Sequence, residues 1–316
     1  MPKTYVYMLT STFLFSTVFI FSQQIIPPLS TYSYLFLRSL LGAIFLIIYI
    51  FIAKLYSSLK QALKDHWKDL LVISILFHMV PLLIVFFATG FTSAANQIII
   101  NNMNLSFVVL INLFVYKKKP TSMLIVAVIL NFVGVLLVLF PLDFKENSTL
   151  LGDIIMIIGV FVGAFFPAWN KRVANKTDPI VLGFFLNFFP AIFLLPFMFF
   201  VGQAESIFQL DMIGWFYILW IGIGISAIGY CVGNAAYKDK ALTPEIYATV
   251  TTLMPVIGLI LSLVVFGEQI TWINFIGAII VISSIYIATR VRGIQKKENE
   301  RENIDKVRNK VGEPVI

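Results

Sequence analysis

Charged residues are scarce in this sequence: Asp, Glu, Lys and Arg together make up 12% of its 316 residues. An average soluble domain carries about 25% of these residues, whereas 59% of this chain is hydrophobic. The composition therefore excludes an ordinary soluble domain and indicates a protein that is embedded in a membrane.

Cysteine and histidine are almost absent. The single cysteine, Cys231, has no partner for a disulfide within the chain, and no cysteine cluster is available to hold a metal ion. An intramembrane enzyme would need clustered histidines, paired aspartates or an activated nucleophile. The apolar stretches contain one histidine, His78, and no aspartate apart from edge positions such as Asp153. We therefore expect no metal site, no catalytic residue and no enzymatic activity.

The sequence also lacks a phosphate-binding loop of the Gly-x-x-x-x-Gly-Lys type, so we expect neither ATP nor another cofactor. A channel would need a selectivity filter or a ring of charges, and a sensor ordinarily carries a soluble output domain. None of these features is visible in the sequence. An intramembrane enzyme and a channel or sensor without a soluble domain are the alternatives to a carrier.

Ten apolar stretches are each long enough to cross a bilayer as a helix, which takes about 20 residues. They lie at residues 5–22, 32–53, 69–90, 94–116, 122–140, 151–169, 179–200, 212–235, 243–266 and 271–289. We therefore expect an all-α integral membrane protein with ten transmembrane helices.

Lysine and arginine are concentrated in every second gap between these stretches. If the N-terminus and those gaps lie on one side, that side receives 21 of the 23 basic residues. Lys145 alone falls on the opposite side, and Arg38 lies within a stretch. Short loops rich in Lys and Arg remain cytoplasmic, so we expect both termini in the cytoplasm and the protein in the plasma membrane. Anionic lipid headgroups, and not nucleic acid, then explain the net charge of +7.

The sequence resembles itself when it is shifted by 150 residues. Segment 110–121 then falls on segment 260–271, and each combines an apolar helix end, a polar turn and a threonine that opens the next helix. Because five helices per unit is an odd number, the second unit must enter the membrane from the other side, as in the inverted repeats of secondary transporters. We predict a first unit at 1–140, an external connector at 141–150, a second unit at 151–290 and a charged cytoplasmic tail at 291–316.

The fourth stretch carries amide side chains on one face. Gln97, Asn101, Asn104 and Asn112 fall on one face at helical spacing, with Asn102 beside them. Such amides either bond to neighbouring helices or line a wet pathway, and we favour a stripe that faces a substrate cavity. The 150-residue shift pairs Gln97 with Tyr247 and Asn101 with Thr251, although a threonine hydroxyl also bonds readily to its own helix.

Four further residues are candidates for the transport pathway. His78 can carry a proton in an antiport cycle because imidazole titrates near physiological pH, but a lone histidine is also a common packing residue. Tyr230 offers an aromatic face and a hydroxyl to a cavity. Pro81 and Pro255 each permit a bend in their helix, so each is either a structural kink or a gating hinge.

Two charged residues need an explanation within the membrane. Arg38 either extends its side chain to the membrane surface or has a structural or substrate-carboxylate role. Glu245 opens the ninth stretch, where a carboxylate suits the positive end of a helix. Helix capping and a charge at the cytoplasmic gate are the two interpretations of Glu245.

Several short motifs occur in a fixed order along the chain: Arg38 after Pro28, Lys171-Arg172 after Trp169, Pro255, Phe266-Gly267-Glu268 and Gly277. Together they resemble the EamA-type ten-helix permeases of the drug/metabolite transporter superfamily, over about residues 5–290. The sequence departs from the family pattern at 117–119, where three lysines replace an acidic residue near the turn. It also has Leu105 at the position that matches Pro255.

This resemblance implies a basket-like bundle with gates on either face and a cavity enclosed chiefly by helices three, four, eight and nine. Members of the family move amino acids, other small metabolites and toxic analogues, commonly outward. The expected function is therefore a secondary transporter that works by alternating access. Its expected partners are a small-molecule substrate, the lipid bilayer and, if His78 titrates during transport, protons.

Overall fold

The computed structural model describes residues 2–25, 29–88, 91, 94–115, 117, 120–138, 149–200, 204–266, 271–288 and 290. Within these ranges the regular structure is helical and no strand occurs, which confirms the expected all-α class. The principal helices are α1 Pro2–Ile25, α2 Thr31–Ile52, α3 Tyr56–Ala88, α4 Ala94–Phe114, α5 Ser122–Val138, α6 Leu150–Ala174, α7 Pro179–Phe200, α8 Met212–Ala236, α9 in two segments, Pro244–Thr251 and Met254–Phe266, and α10 Trp272–Ala288. A short 3₁₀ turn, Ala204–Gln209, precedes α8.

In the described part of the chain, helices α2, α3, α6, α7 and α8 are long and apolar enough to cross a bilayer. The described parts of α4, α5 and α10 are shorter but also apolar. Large apolar side chains cover the outer sides of the bundle, as Phe275, Ile279 and Ile282 do on α10. Soluble proteins rarely expose apolar surface on this scale, so lipid is the expected surrounding.

Helix α3 is longer than the apolar pattern predicted. It begins at Tyr56, thirteen residues before the expected start at residue 69. The added turns are amphipathic, because Ala62 and Leu70 are buried while Lys60 and Lys64 are exposed. Packing of one apolar face stabilises such a helix, and a search for continuous apolar runs does not detect it.

Helix α9 is interrupted. Thr252 and Leu253 leave the helical conformation between its two segments, directly before Pro255. Proline has no N–H to donate to the carbonyl four residues earlier, here that of Thr251, which accounts for the position of the break. The use of this break as a hinge stays a prediction.

Helices α5 and α10 correspond to each other under the 150-residue shift. Their bounds agree with that shift, since 122–138 becomes 272–288. Their burial agrees at five equivalent positions: 124, 127, 131, 134 and 138 in α5, and 274, 277, 281, 284 and 288 in α10. α5 also buries Val135, whose equivalent in α10, Ile285, is half-buried. The two helices therefore occupy the same place in two similar units.

The crossing of α5 with α10 shows their relative direction. A Cβ atom added to Gly134 would meet Val281, and one added to Gly277 would meet the backbone of Val138. The side-chain amide of Asn274 also donates a hydrogen bond to the carbonyl of Val138, at 2.9 Å. Since later residues of α5 contact earlier residues of α10, the two helices run antiparallel.

Helices α2 and α7 form a second equivalent pair, with the most extensive helix–helix contact among the described residues. A Cβ atom added to Gly42 would meet Asn187, and one added to Gly183 would meet Leu46. This pair is therefore antiparallel too. Equivalent helices that run in opposite directions are what an inverted repeat requires.

Helices α3 and α8, also equivalent, each contain a π-helical stretch, Val72–Met79 and Trp220–Gly229. The shift of 150 residues carries the end of the first, Met79, onto the end of the second, Gly229. Such stretches change the hydrogen-bond pattern of a helix and are frequent at functional sites. The first stretch contains His78, and the second ends directly before Tyr230.

Candidate functional site

His78 and Tyr230, which the sequence placed in different halves, are in contact at the centre of the bundle. The Tyr230 hydroxyl lies 3.4 Å from His78 Nδ1, and the two rings meet edge to face with centroids 4.8 Å apart. Phe15 and Phe166 pack around Tyr230, with ring centroids 4.9 Å and 6.2 Å from it. Helices α1, α3, α6 and α8 thus build one group of rings, which we call the central cluster: Phe15, His78, Phe166 and Tyr230.

Arg38 lies beside the central cluster and is only 5% exposed. Its Nε donates a hydrogen bond to Ser226 Oγ at 3.0 Å, and its Cζ lies 5.8 Å from the centroid of the Tyr34 ring. Its charge is close enough to act electrostatically on both His78 and Tyr230. The interpretation that Arg38 extends to the membrane surface is wrong, because its guanidinium is bound to α8 inside the bundle.

Asn187 on α7 fixes the backbone around Ser226. It is 1% exposed, and its amide donates to the carbonyls of Ser226, at 2.7 Å, and of Gly183, at 2.8 Å. The Ser226 carbonyl belongs to the π-helical stretch of α8, so Asn187 provides it with a partner from another helix. Sequence reasoning missed both Asn187 and Ser226. The available signal was an amide within a phenylalanine-rich membrane helix, where such groups have structural or functional roles.

Tyr247 makes a second polar contact between the units. Its hydroxyl lies 3.0 Å from Ser11 Oγ on α1, and its ring lies 4.6 Å from that of Tyr237, centroid to centroid. A Cβ atom added to Gly233 would collide with the same hydroxyl. Gly233, which lies four residues after Gly229 in α8, therefore leaves the space that the Tyr247 hydroxyl occupies.

The amide stripe of α4 is described in part. Asn101 and Asn104 are half-buried on a helix that packs against α5, α6 and the first segment of α9. The side chain of Gln97 lies outside the described residues. Thr251 donates its hydroxyl to the Ala248 carbonyl of its own helix, at 2.7 Å. Among the described residues, no hydrogen bond links Asn101, Asn104 or Thr251 to the central cluster.

The two predicted hinge prolines lie in different surroundings. Pro81 is buried, three residues after His78, and a Cβ atom added to Gly163 of α6 would lie 3.3 Å from it. Pro255 is half-buried and follows the break in α9. Pro81 therefore belongs to the contact between α3 and α6, whereas Pro255 belongs to an irregular stretch of backbone.

A polar network joins α1, α6 and the end of α8 on the side predicted to be cytoplasmic. Thr4 Oγ1 donates to Asp239 Oδ2 at 2.9 Å, and Lys171 Nζ donates to the carbonyls of Tyr237, at 3.2 Å, and of Asp239. Burial raises the pKa of Tyr237 well above its ordinary value, and burial lowers the pKa of the adjacent Lys238. The network holds three helices together at this end of the bundle.

Glu245 is buried in the first turn of α9, but it is not the N-cap. Thr243 occupies that position, and its side-chain oxygen accepts the Ile246 N–H at 3.4 Å. Thr243 is therefore the N-cap, and the Glu245 carboxylate lies in the first turn, at the favourable positive end of the helix as predicted. Its role as a charge at the cytoplasmic gate stays a prediction. In the described ranges, no group of three or more His, Cys, Asp and Glu side chains is placed to hold a metal ion.

These features define a multi-pass helical membrane protein with an internal repeat and a polar centre shared by both halves. The model of the EamA-like transporter family matches the chain twice, over residues 2–140 and 150–290. The chain belongs to this family, which confirms the resemblance read from its short motifs.

Two relatives illustrate the family. The chain is 25% identical to an uncharacterised transporter of Archaeoglobus fulgidus over 290 residues, which cover 91% of this chain and 97% of the relative. It is 20% identical to a protein of Escherichia coli named "Probable amino-acid metabolite efflux pump", over 57% of this chain and 62% of that one. A protein of known crystal structure shares the fold, with a TM-score of 0.78 and 14% identity, over 93% of this chain and 99% of that chain.

Proposed function

We propose that this chain is a secondary transporter that exports small metabolites, amino acids or related compounds, across the plasma membrane by alternating access. In this proposal the chain crosses the bilayer ten times and has both termini in the cytoplasm. Residues 1–140 and 151–290 form two inverted units, 141–150 form an external connector and 291–316 form a cytoplasmic tail.

The observation that carries the proposal is the antiparallel packing of equivalent helices. α5 crosses α10 through Gly134 and Gly277, and α2 crosses α7 through Gly42 and Gly183. Two similar units of opposite direction give two similar conformations that open to opposite faces. The match of a transporter family to both units supports the same mechanism.

The central cluster is the proposed substrate site, together with Tyr247 and the amides of α4 that the sequence singled out: Gln97, Asn101 and Asn104. Pro81 and Pro255 are proposed to permit the movement of α3 and α9. The polar network between Thr4, Lys171 and Asp239 is proposed as the closed cytoplasmic gate of this conformation. The name of the E. coli relative supports amino acids as substrates and export as the direction.

The function is tested by uptake into proteoliposomes that contain the purified protein. A panel of radiolabelled amino acids and common metabolites is offered with and without an imposed pH gradient. We expect saturable uptake of at least one amino acid, and empty liposomes provide the background. If none of the panel is taken up above background, the proposed substrate class is wrong.

His78 is tested in the same assay as the proposed proton carrier. Its replacement, His78→Gln, is expected to abolish the effect of the pH gradient while exchange of substrate across the membrane continues. An unchanged response to the gradient would remove His78 from the coupling step.

The inverted topology is tested by labelling single cysteines with a membrane-impermeant maleimide in whole cells. Cys231→Ser removes the natural thiol, and cysteines are then introduced at positions 118 and 268. We expect labelling at position 268 alone until the cells are opened. Equal labelling of both positions in intact cells would overturn the inverted arrangement.

A further inference from the structure

Among the described residues, Arg38 is a buried positive charge without an acidic partner. A guanidinium is charged at every physiological pH, and this one is 5% exposed. Its hydrogen bond from Nε goes to a neutral hydroxyl, that of Ser226. Among the residues that the structure describes, no carboxylate lies within ion-pair distance of Arg38.

Four acidic side chains of the described residues already have other partners. Asp178 and Asp211 accept the N–H groups that begin α7 and α8, at 2.8 Å and 2.7 Å. Asp69 pairs with Arg172 at 3.9 Å, and Asp239 accepts a hydrogen bond within the gate network. The charge of Arg38 therefore has to be balanced by something other than these groups.

An unpaired charge inside a membrane protein is costly, because neither lipid nor an apolar protein interior replaces the water that the charge loses. The ring of Tyr34, with its centroid 5.8 Å from Arg38 Cζ, offsets part of that cost. Leucine or methionine at this position would avoid the cost altogether. A charged side chain at such a site is therefore expected to bind a ligand.

The geometry of the guanidinium suits a carboxylate. Ser226 binds Nε, and Asn187 holds the Ser226 backbone through its carbonyl. With Nε anchored in this way, the two terminal nitrogens form the edge of Arg38 that we assign to a ligand. A carboxylate binds that edge with two parallel hydrogen bonds.

The neighbours of Arg38 add a second element of recognition. Ser226, which binds the guanidinium, lies four positions before Tyr230 on α8 and so on the same side of that helix. The rings around Tyr230 present aromatic faces and edges, which pack well against an apolar side chain. A ligand that fits both features carries a carboxylate at one end and an apolar group at the other.

We propose that Arg38 binds the carboxylate of the transported molecule and that Ser226 positions its guanidinium. This inference rests on the proposed transport function and narrows the substrate to carboxylate-bearing compounds with an apolar side chain. The 150-residue shift places Phe188 opposite Arg38 and Leu76 opposite Ser226. The equivalent place in the other half therefore has no such pair, and we expect one carboxylate to bind in each transport cycle.

The test compares an amino acid with analogues that lack its carboxylate. Uptake of radiolabelled L-phenylalanine into proteoliposomes is competed with unlabelled L-phenylalanine, L-phenylalaninamide and phenethylamine. If the metabolite panel identifies a different transported amino acid, that compound with its own amide and amine takes the place of the phenylalanine set. For the wild-type protein we expect the amide and the amine to compete at least about tenfold less well, because a hydrogen bond to a charged group is lost.

Arg38→Gln is expected to remove this discrimination and to raise the half-saturating concentration of the amino acid by about 10-fold to 100-fold. Lys60→Gln removes the same charge from the exposed side of α3 and serves as the matched control, with discrimination unchanged. Ser226→Ala is expected to lower discrimination less than Arg38→Gln does. A purely structural role of Arg38 would lower the amount of folded protein without changing the preference between acid and amide.

Each outcome has one meaning. Equal competition by the amide in the wild type, or retained discrimination in folded Arg38→Gln, overturns the assignment of Arg38 and leaves the transport function intact. Absence of uptake of the whole panel by the wild type overturns the transport function itself. If Arg38→Gln does not fold, Arg38→Lys decides, since it keeps the charge without the fork: reduced discrimination supports the assignment, and unchanged discrimination overturns it.

Discussion

The two units of this protein are alike at their periphery and different at their centre. α5 and α10 bury the same five positions after a shift of 150 residues, although Asn131 corresponds to Val281 and Gly134 to Ser284. In the interior, Arg38 of the first unit corresponds to Phe188 of the second. The periphery has to pack in the same way in both units, whereas the centre is proposed to bind one substrate molecule.

This difference agrees with two requirements of the proposed alternating-access mechanism. Symmetric packing lets two conformations have similar energies, because each unit can take the place of the other. The polar centre around Arg38 is not repeated by the equivalent residue of the second unit, Phe188. Two symmetric sites would instead contain the same polar groups twice. Substitutions at the helix contacts between the units are therefore expected to have different effects from substitutions at the centre.

Gly277→Ala is expected to have the largest effect, because it acts on the packing shared by both units. An added Cβ would collide with the backbone of Val138, Gly134 and Leu137. Backbone atoms yield less than side-chain ends, so we expect a loss of about 2–3 kcal/mol or more. The loss is measured as a drop in apparent melting temperature. The protein is fused to a fluorescent protein, heated in detergent and analysed by size-exclusion chromatography.

Gly258→Ala is the matched control for this prediction. It adds the same atom to a helix of the second unit, where nothing lies within 4 Å of the new Cβ. We expect its melting temperature to be unchanged or slightly raised, since alanine favours a helix over glycine by up to about 1 kcal/mol. Equal melting temperatures for Gly277→Ala and Gly258→Ala would show that α5 and α10 do not cross closely.

Asn187→Leu tests the asymmetric centre and is expected to have an intermediate effect. It introduces the residue type of the equivalent position in the first unit, Leu37. The Ser226 carbonyl would lose its partner inside the bundle, at a cost of about 1–3 kcal/mol. The melting temperature and the carboxylate discrimination of the transport assay are both expected to fall.

Asn112→Leu provides the comparison for Asn187→Leu. Asn112 is also buried, but its amide donates to Val108 of its own helix, at 3.1 Å. Its loss leaves no contact between helices broken, so we expect a smaller drop in melting temperature and unchanged discrimination. If Asn112→Leu were the more harmful substitution, the role given to Asn187 in fixing Ser226 would be wrong.

The sequence was sufficient to predict the helical class and the family. It singled out His78 and Tyr230 as separate polar candidates, and only the structure shows that they are in contact. Those inferences depend on composition, on charge between apolar stretches and on polar residues within them, which are local properties. The amphipathic start of α3 escaped detection because it contains Lys60 and Lys64 and no continuous apolar run. The π-helical stretches carry no local residue pattern that distinguishes them from the α-helix around them.

The centre around Arg38 required the tertiary structure. Arg38 and Ser226 are 188 positions apart, and Ser226 is an ordinary small polar residue in a glycine-rich helix. Only the packing of α2, α7 and α8 places them together and adds Asn187 behind them. The sequence left the surface and the interior open as locations for the Arg38 side chain, since a long side chain near a helix end can reach either.

Thr251→Val is expected to have the smallest effect, and it distinguishes the equivalent helices α4 and α9. The Thr251 hydroxyl already donates to the Ala248 carbonyl at 2.7 Å, and valine has the same shape. We therefore expect the half-saturating concentration of substrate to change by less than about twofold, because this bond stays within one helix turn.

Asn101→Val, at the equivalent position of α4, is expected to raise that concentration by about tenfold, since it removes an amide from the proposed cavity. Uptake measured on both variants at matched protein density decides the comparison. A larger effect of Thr251→Val would place the polar wall of the cavity on α9 and would reduce the stripe of α4 to contacts between helices.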